Sequence, residues 1–306
     1  ISEQQRAQIA GLRTAIANSS KAVSMVQTTE GALNEVNNLL VKIRSLALDS
    51  ANTGVNDSNA LAANQAEVAN ALATIDRIAV NTQFGTKKIL DGSAGMTGST
   101  DDADVTFIRA ASTSPTGTFA VAVTTAAQRA NTTAGTAQSG ALAANETLTV
   151  NGVSIALTAG QTQAQVISTI NSYSGQTGVT AVVGAGSATQ LYTTQFGSTA
   201  KISVQSNVAA AATSSGFGTT QVNVSGVDVA GTIGGFAATG QGNILSGNTG
   251  AGAAGISVSF ALAGGSNTTT VTGAQGNVTV TDQSLVFQIG ANANQTVKVS
   301  VDKVTT

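Results

Sequence analysis

The sequence contains no cysteine, no histidine and no tryptophan, and its single proline is Pro115. Without cysteine there is no disulfide, no thiolate nucleophile and no Cys-ligated zinc or iron-sulfur centre. Without histidine the commonest general base and the commonest metal ligand are both gone, which leaves carboxylates, lysine, tyrosine and hydroxyls to carry any reaction. Charge is scarce as well: 9% of the 306 residues are Asp, Glu, Lys or Arg, with a net charge of -2. That balance lacks the basic footprint nucleic-acid binding needs. No apolar run approaches the roughly 18 residues of a membrane span. The absences together predict a chain that is not an enzyme, takes no cofactor and contacts neither nucleic acid nor the bilayer interior. No signal peptide is visible at Ile1, and the chain opens inside a helical pattern, which reads as a piece of a longer protein. A chain of small polar residues without disulfides is easily kept unfolded for export.

What charge there is lies unevenly. Most of it falls at or before Arg109, and between Ala111 and Val280 only Arg129, Glu146, Lys201 and Asp228 are charged. The shift marks a domain boundary near residues 93–105. We therefore expect a helical part, 1–99 plus 283–306, and a β-rich outer part, 100–282, divisible into modules 100–206 and 207–282.

From Ser2 to Ser50 apolar residues recur at intervals of three and four: Ile9, Leu12, Ile16, Val23, Val26, then Leu33, Val36, Leu40, Ile43 and Ala47. This is the pattern of a long amphipathic helix. Its phase slips across Thr28, Thr29, Glu30 and Gly31, which predicts a bend or break. Asn52, Gly54, Asn56, Asp57 and Ser58 read as a turn with helix-capping candidates, and Leu61, Val68, Leu72, Ile75 and Ile78 as a second helix ending before Phe84-Gly85. Antiparallel pairing would set Ala47 near Leu61 and Val26 near Asn81. Ile9, Leu12, Ile16 and Val23 then lack a partner within the pair. An apolar side chain of that size loses about 1.5–3 kcal/mol if left in water, so the row is a candidate assembly surface.

The middle changes period. Leu148, Val150, Val153, Ile155 and Leu157 flank Asn151-Gly152, a strong hairpin signal. Thr162 to Gln165 has capping-box spacing, and Val166, Ile167 and Ile170 follow on one helical face. Strands are expected at Val179–Val183, Gln190–Thr193 and Lys201–Gln205. Val222 to Val229 echoes Leu148 to Ile155 and suggests a repeated hairpin. Further alternation at Ile256 to Leu262 and at Val278 and Val280 precedes a last hairpin of Leu285, Phe287 and Ile289 with Val297, Val299 and Val301. The fold class is thus α+β: elongated, with long antiparallel helices at the N-terminal end and a β-rich middle of hairpins with one short helix.

Gln27-Thr28-Thr29-Glu30-Gly31-Ala32-Leu33-Asn34-Glu35-Val36-Asn37-Asn38, Lys42 to Ala47, Gln65-Ala66-Glu67, Ile75 to Ala79 and Thr82 to Gly92 together resemble the inner helical domain of bacterial flagellin. Leu285 to Thr296 resembles the segment by which flagellins return from their outer domains, and Leu148 to Gln205 a repeat inserted in flagellins and filament-cap proteins. The resemblance implies an extracellular structural subunit of the flagellar filament, with other copies of itself, an export chaperone and the filament cap as partners. It also implies flanking helical segments, beyond both ends of this sequence, that would cover Ile9, Leu12, Ile16 and Val23. Some flagellins are read by an innate immune receptor on this helix. Arg44, Leu46 and Glu67 fit that surface, but Lys42, Ser45 and Val41 stand where Arg, Glu and Gln are usual, and Lys cannot reproduce a bidentate Arg contact. A hook-filament junction protein would share the helical domain.

Outside the helices, chemistry is thin. Asp101, Asp102 and Asp104 offer oxygen ligands suited to a hard cation such as Ca²⁺, although the spacing is not that of an EF-hand loop. Glu146 and Asp228 are too isolated to be paired as acid and base. The competing reading is a surface protein that binds a polysaccharide. Tyr173, Tyr192, Phe196, Phe217 and Phe236 are the aromatic candidates, with Lys201 and Arg129 available to an acidic glycan.

Overall fold

The computed structural model describes residues 2–52 and 56–305, apart from the side chain of Ser58. Along the chain run α1 (Ser2–Ser50), α2 (Ser58–Asn81), β1 (Gln83–Phe84), β2 (Lys87–Lys88), β3 (Met96–Thr100), β4 (Val105–Arg109), β5 (Gly117–Thr125) and β6 (Arg129–Thr133). Then come β7 (Glu146–Val150), β8 (Val153–Leu157), α3 (Gln163–Ser172), β9 (Val179–Val183), β10 (Thr189–Phe196), β11 (Lys201–Ser206) and β12 (Val222–Ser225). The last are β13 (Ala230–Ile233), β14 (Phe236–Gln241), β15 (Ile244–Gly247), β16 (Ser257–Phe260), β17 (Gly273–Asp282), β18 (Leu285–Gln288) and β19 (Thr296–Val299). No helix among the described residues is long and apolar enough to cross a membrane. The residues up to Gly98, Arg109–Thr116 and the residues from Val280 on form one compact unit; Ser99–Ile108 and Gly117–Thr279 form another. Three of the four dividing points fall inside β3, β4 and β17, and the other at the start of β5.

In the helical unit, α1 runs unbroken through Thr28 to Gly31, where the phase slip predicts a bend or break. Two local features accompany the continuous helix there. The hydroxyls of Thr28 and Thr29 donate back to the Ser24 and Met25 carbonyls, each at 2.9 Å, and Thr29 is itself buried, so its methyl takes an apolar position in the interior face. That face comprises Ala15, Met25, Thr29 and Val36. Asp57 caps α2, accepting from Ala60 N at 2.8 Å; of the other turn candidates, Gly54 and the side chain of Ser58 lie outside the described residues. Pairing of α1 with α2 follows the expected register. Asn64 Nδ2 reaches Asp49 Oδ2 at 2.8 Å and Ser50 Oγ at 3.1 Å, and Ala71, Ile75 and Ala79 are buried. The β18–β19 hairpin pairs Leu285 with Val299 and Phe287 with Val297, in keeping with the alternation of the sequence. Beyond it Val301 N and Val304 N donate to the carbonyls of Ala94 and Leu90, each at 3.0 Å, closing over buried Ile89, Leu90 and Ala94.

The β-rich unit contains two bodies of sheet. In the first, a four-stranded sheet (β12-β11-β7-β8) and a three-stranded one (β6-β10-β9) share a core with α3. Leu148, Val150, Ile155, Leu157, Val166, Ile170, Leu191 and Ile202 are fully buried there. The β7–β8 turn is Asn151-Gly152, both at positive φ (50° and 83°), as a two-residue type I′ loop requires. Gln165 Oε1 accepts from Thr162 N at 2.9 Å, the capping-box bond read from the sequence. In the second body, an eight-stranded sheet has the order β3-β17-β5-β13-β14-β15-β16-β4. β3 and β4 are joined only by Asp101 to Asp104 yet stand at opposite ends of that order. The sheet must therefore curl until its two edges come together, as in a barrel.

The echo of the first hairpin at Val222 to Val229 is not a hairpin. β12 pairs with β11, Val224 against Ile202, whereas β13 pairs with β5 and β14 in the other sheet. Gly226 has no turn conformation to supply. A Cβ there would lie 2.4 Å from the Gln128 carbonyl and 2.5 Å from that of Gly197, so glycine serves close backbone approach where the strand passes between sheets.

Candidate assembly surface and outer cleft

Helix α1 presents two faces in its first half. One, through Gly11, Ala15 and Asn18, carries the β18–β19 hairpin: a Cβ on Gly11 would meet Ala291 Cβ at 3.1 Å, and Asn18 Nδ2 donates to Gln288 O at 3.2 Å. The hairpin therefore supplies a partner that pairing of the two helices alone does not provide. The other face holds Ile9, Leu12, Ile16 and Val23, which remain 53%, 52%, 69% and 56% exposed. Residues at these spacings share one stripe of a 3.6-residue helix, so the four form a continuous apolar row. At about 1.5–3 kcal/mol per side chain on full burial, the row is a substantial unspent hydrophobic surface.

Further along the helix pair, Lys42 Nζ lies 2.5 Å from Glu67 Oε1, with both side chains about half exposed. Arg44 is exposed and Leu46 half-buried. The lysine charge is thus shared with Glu67 across the two helices.

The acidic loop does not form a cation site. Among the described residues no group of three or more acidic side chains has metal-holding geometry. Asp101 accepts from Asn277 N and, at 2.8 Å, from Asn277 Nδ2, and these bonds, the backbone one first, hold its carboxyl below the usual range. Asp102 Oδ1 accepts from Asp104 N at 2.8 Å. The carboxylates of Asp101 and Asp102 are thus engaged at the turn that joins β3 to β4.

The aromatic candidates separate. Phe217 is core. Tyr173 ends α3 and packs against the same core. Phe236 is 47% exposed. Tyr192 and Phe196, both on β10, flank Arg129, whose guanidinium carbon sits 5.5 Å and 4.7 Å from their ring centres; Arg129 Nη1 donates to Asn267 O at 3.0 Å. Phe196 also borders a shallow cleft of about 370 Å³ with Thr194, Gln195, Thr199, Gln241, Gly242 and Asn243. Tyr173, Tyr192 and Lys201 do not line it. Asp228 ties its walls: it accepts from Ser198 Oγ at 2.5 Å, Ser198 N at 3.2 Å and Gly242 N at 2.8 Å. The Ser198 hydroxyl above all keeps its carboxyl below the ordinary value. The sequence signal for this corner is Arg129 and Asp228, two of the four charges in a long uncharged stretch, but nothing in it tells that Gln241 and Phe196 border one cleft.

Residues 1–95 match the family model for the bacterial flagellin N-terminal helical region. A flagellin of Clostridium tyrobutyricum is 46% identical over 93 residues, 30% of this chain and 24% of that one. The B-type flagellin of Pseudomonas aeruginosa is 47% identical over 97 residues, 32% of this chain and 20% of that one, and a flagellin of Bacillus subtilis 42% over 94 residues, 30% and 31%. This chain spans less than a third of the length of these curated relatives. Solved domains of the flagellar cap protein from Escherichia coli are similar at 17% identity and a TM-score of 0.37, covering 62% of this chain and 99% of that one. The resemblance read between Gln27 and Gly92 lies within the matched residues; the return segment from Leu285 and the Leu148 to Gln205 module lie outside them.

Proposed function

We propose that the chain is a structural subunit of the bacterial flagellar filament, assembling with copies of itself through its helical unit and presenting its β-rich unit to the outside. The observation that carries this reading is the exposed row Ile9, Leu12, Ile16 and Val23, on a helix whose sequence matches the flagellin N-terminal region. Association costs about 4–15 kcal/mol in lost freedom, which an apolar row of this kind offsets only when repeated along an assembly. Such a subunit works outside the cell and meets the filament cap as it is added. The test is assembly of the protein that carries this sequence, compared with its Leu12→Asp, Ile16→Asp double variant by sedimentation and electron microscopy. Filaments from the unsubstituted protein alone support the reading; normal filaments from the double variant overturn it.

A second reading, a polysaccharide-binding surface, is favoured by the cleft beside Phe196. Thr194, Gln195, Thr199 and Gln241 make no side-chain hydrogen bond among the described residues, so uncommitted hydroxyls and amides surround an aromatic ring, the chemistry that suits a sugar. Glycan-array binding lost on Phe196→Ala supports it, and binding that survives that substitution removes the cleft from consideration.

A further inference from the structure

The two bodies of sheet in the β-rich unit have separate interiors. The core of the first draws on residues between Ala130 and Val224, whereas the second buries Val121, Ile233, Leu245 and Val258. The chain passes between them through Ala127-Gln128 and again through Val227-Asp228. The two crossings pair with each other, Gln128 N donating to Val227 O at 2.8 Å and Val227 N to Gln128 O at 3.0 Å. The loop before β17 lies along the first crossing, where Arg129 N donates to Thr268 O at 2.8 Å and Thr270 N to Ala127 O at 3.0 Å. A few terminal residues of strands, set between two separate cores, have the form of a hinge.

Two charged side chains clamp it, one beside each crossing. Arg129 stacks its guanidinium on Tyr192 and Phe196 of the first body and donates from Nη1 to Asn267 O of the second at 3.0 Å. Asp228 accepts from Ser198 Oγ at 2.5 Å and Ser198 N at 3.2 Å, in the β10–β11 turn of the first body, and from Gly242 N at 2.8 Å, in the β14–β15 turn of the second. Those two turns touch: a Cβ on Gly197, whose φ is 97°, would lie 2.8 Å from Gly242 Cα.

The placement of charge is informative. Between Ala111 and Val280 the chain carries four charged residues, and two of them stand at this joint. They form no ion pair with each other among the described residues. Each bonds to both bodies instead. Hydrogen bonds to an ionised group are roughly twice as strong as neutral ones, so a chain this poor in charge sets two of its few strong side-chain bonds where the bodies meet.

We propose that the two sheet bodies are joined by a hinge at the paired crossings, and that Arg129 and Asp228 are the clamps that hold it in one position. The cleft beside Phe196 takes its shape from the clamped state, because Phe196 and Thr199 come from the first body and Gln241 and Asn243 from the second. Removing a clamp lets the bodies swing while each keeps its own core, and the walls of the cleft part.

The experiment uses the absence of cysteine. Ala156 on β8 and Ala237 on β14, both exposed, are replaced by cysteine and spin-labelled, and the distance distribution between the labels is measured by pulsed dipolar spectroscopy. The otherwise unsubstituted chain should give one narrow distance, and Asp228→Ala and Arg129→Met should each give a broad distribution. Asp228→Asn should restore the narrow one, since its amide still accepts from Gly242 N and donates to Ser198 Oγ. Hydrogen exchange supplies the control: in Asp228→Ala the Gly242 amide should exchange about tenfold faster, with the Leu191 and Leu245 amides of the two cores unchanged. A broad distribution in the unsubstituted chain, equal widths in it and the two clamp variants, equal breadth in Asp228→Asn and Asp228→Ala, or lost protection at Leu191 or Leu245 overturns the proposal.

Discussion

The side-chain amide of Asn18 donates a hydrogen bond to the main-chain carbonyl of Gln288 at 3.2 Å, joining positions 270 residues apart. The bond seats the β18–β19 hairpin on the first half of α1, where Gly11 gives Ala291 the room to approach. The helix thus has one face covered by its own chain and the row from Ile9 to Val23 left bare.

Enlarging Gly11 should unseat that hairpin. Gly11→Leu forces its side chain into Ala291 and is expected to cost about 1–3 kcal/mol, the range for overpacking a filled contact. Hydrogen exchange checks it: Leu285 and Phe287 amides should lose protection while those of β7 and β11 keep theirs. Unchanged protection in the hairpin would mean that the Gly11 contact is dispensable.

Acid should weaken the root of the same hairpin through Asp282. Its carboxylate accepts from Ser284 N at 2.9 Å and Lys298 Nζ at 2.9 Å, and bonding to Ser284 and then Lys298 lowers its pKa from 3.8 to about 2. A carboxyl whose folded pKa is depressed stabilises the fold fully above the unfolded value and loses that contribution as pH falls through the folded one. Stability should therefore decline as pH drops from 3.8 to about 2. Asp282→Asn should flatten this part of the profile in thermal melts; an unaltered acid limb would assign the loss to other groups.

Glu146 offers a sharper case. It is 3% exposed, and its carboxylate accepts from Ser206 Oγ at 2.5 Å, from Ser215 N at 2.8 Å and from Ser215 Oγ, with no ion-pair partner among the described residues. Glu146→Ala strands two buried hydroxyls and an amide, at about 1–3 kcal/mol for each group left unpaired. Chemical denaturation should find the β-rich unit weakened by at least about 2 kcal/mol, and amides from Ser206 to Phe217 should exchange first. Glu146→Gln should fall between the two, because one end of its amide still accepts.

A fragment of residues 100–282 should fold alone, since the core around Leu148 and Ile202 lies inside that range, as do the strands other than β3 of the sheet carrying Val121, Ile233 and Val258. One cooperative thermal transition in calorimetry is the expected result. A broad, non-cooperative melt would tie the β-rich unit's folding to the helices.

Local pattern makes several elements legible from residue order alone. The spacing from Ile9 to Ala47 marks a long helix because 3.6-residue periodicity survives in a surface helix whatever it packs on. Asn151-Gly152 marks a hairpin because few other residues accept positive φ at both turn positions. The strand Val179–Val183 has the same bounds in sequence and in structure, since β-branched side chains bounded by glycines have little else to form. The same reasoning fails at Val222 to Val229, where a turn-like Ser-Gly is a crossing between sheets. At Thr28 to Gly31 the polar gap interrupts the apolar stripe, and the helix does not break there.

Sequence by itself determined which reactive side chains this chain lacks and the periods of its helices and strands, because both depend on residue identity and on neighbours a few positions away. Only the tertiary structure decided which face of α1 stays bare, which polar groups border Phe196, and how the edge of β9 is closed. Each of these depends on pairs such as Asn18 with Gln288, Phe196 with Gly242, and Asn171 with Ala181. No rule of spacing along the chain says that such residues meet, because their contact is set by the packing of whole elements.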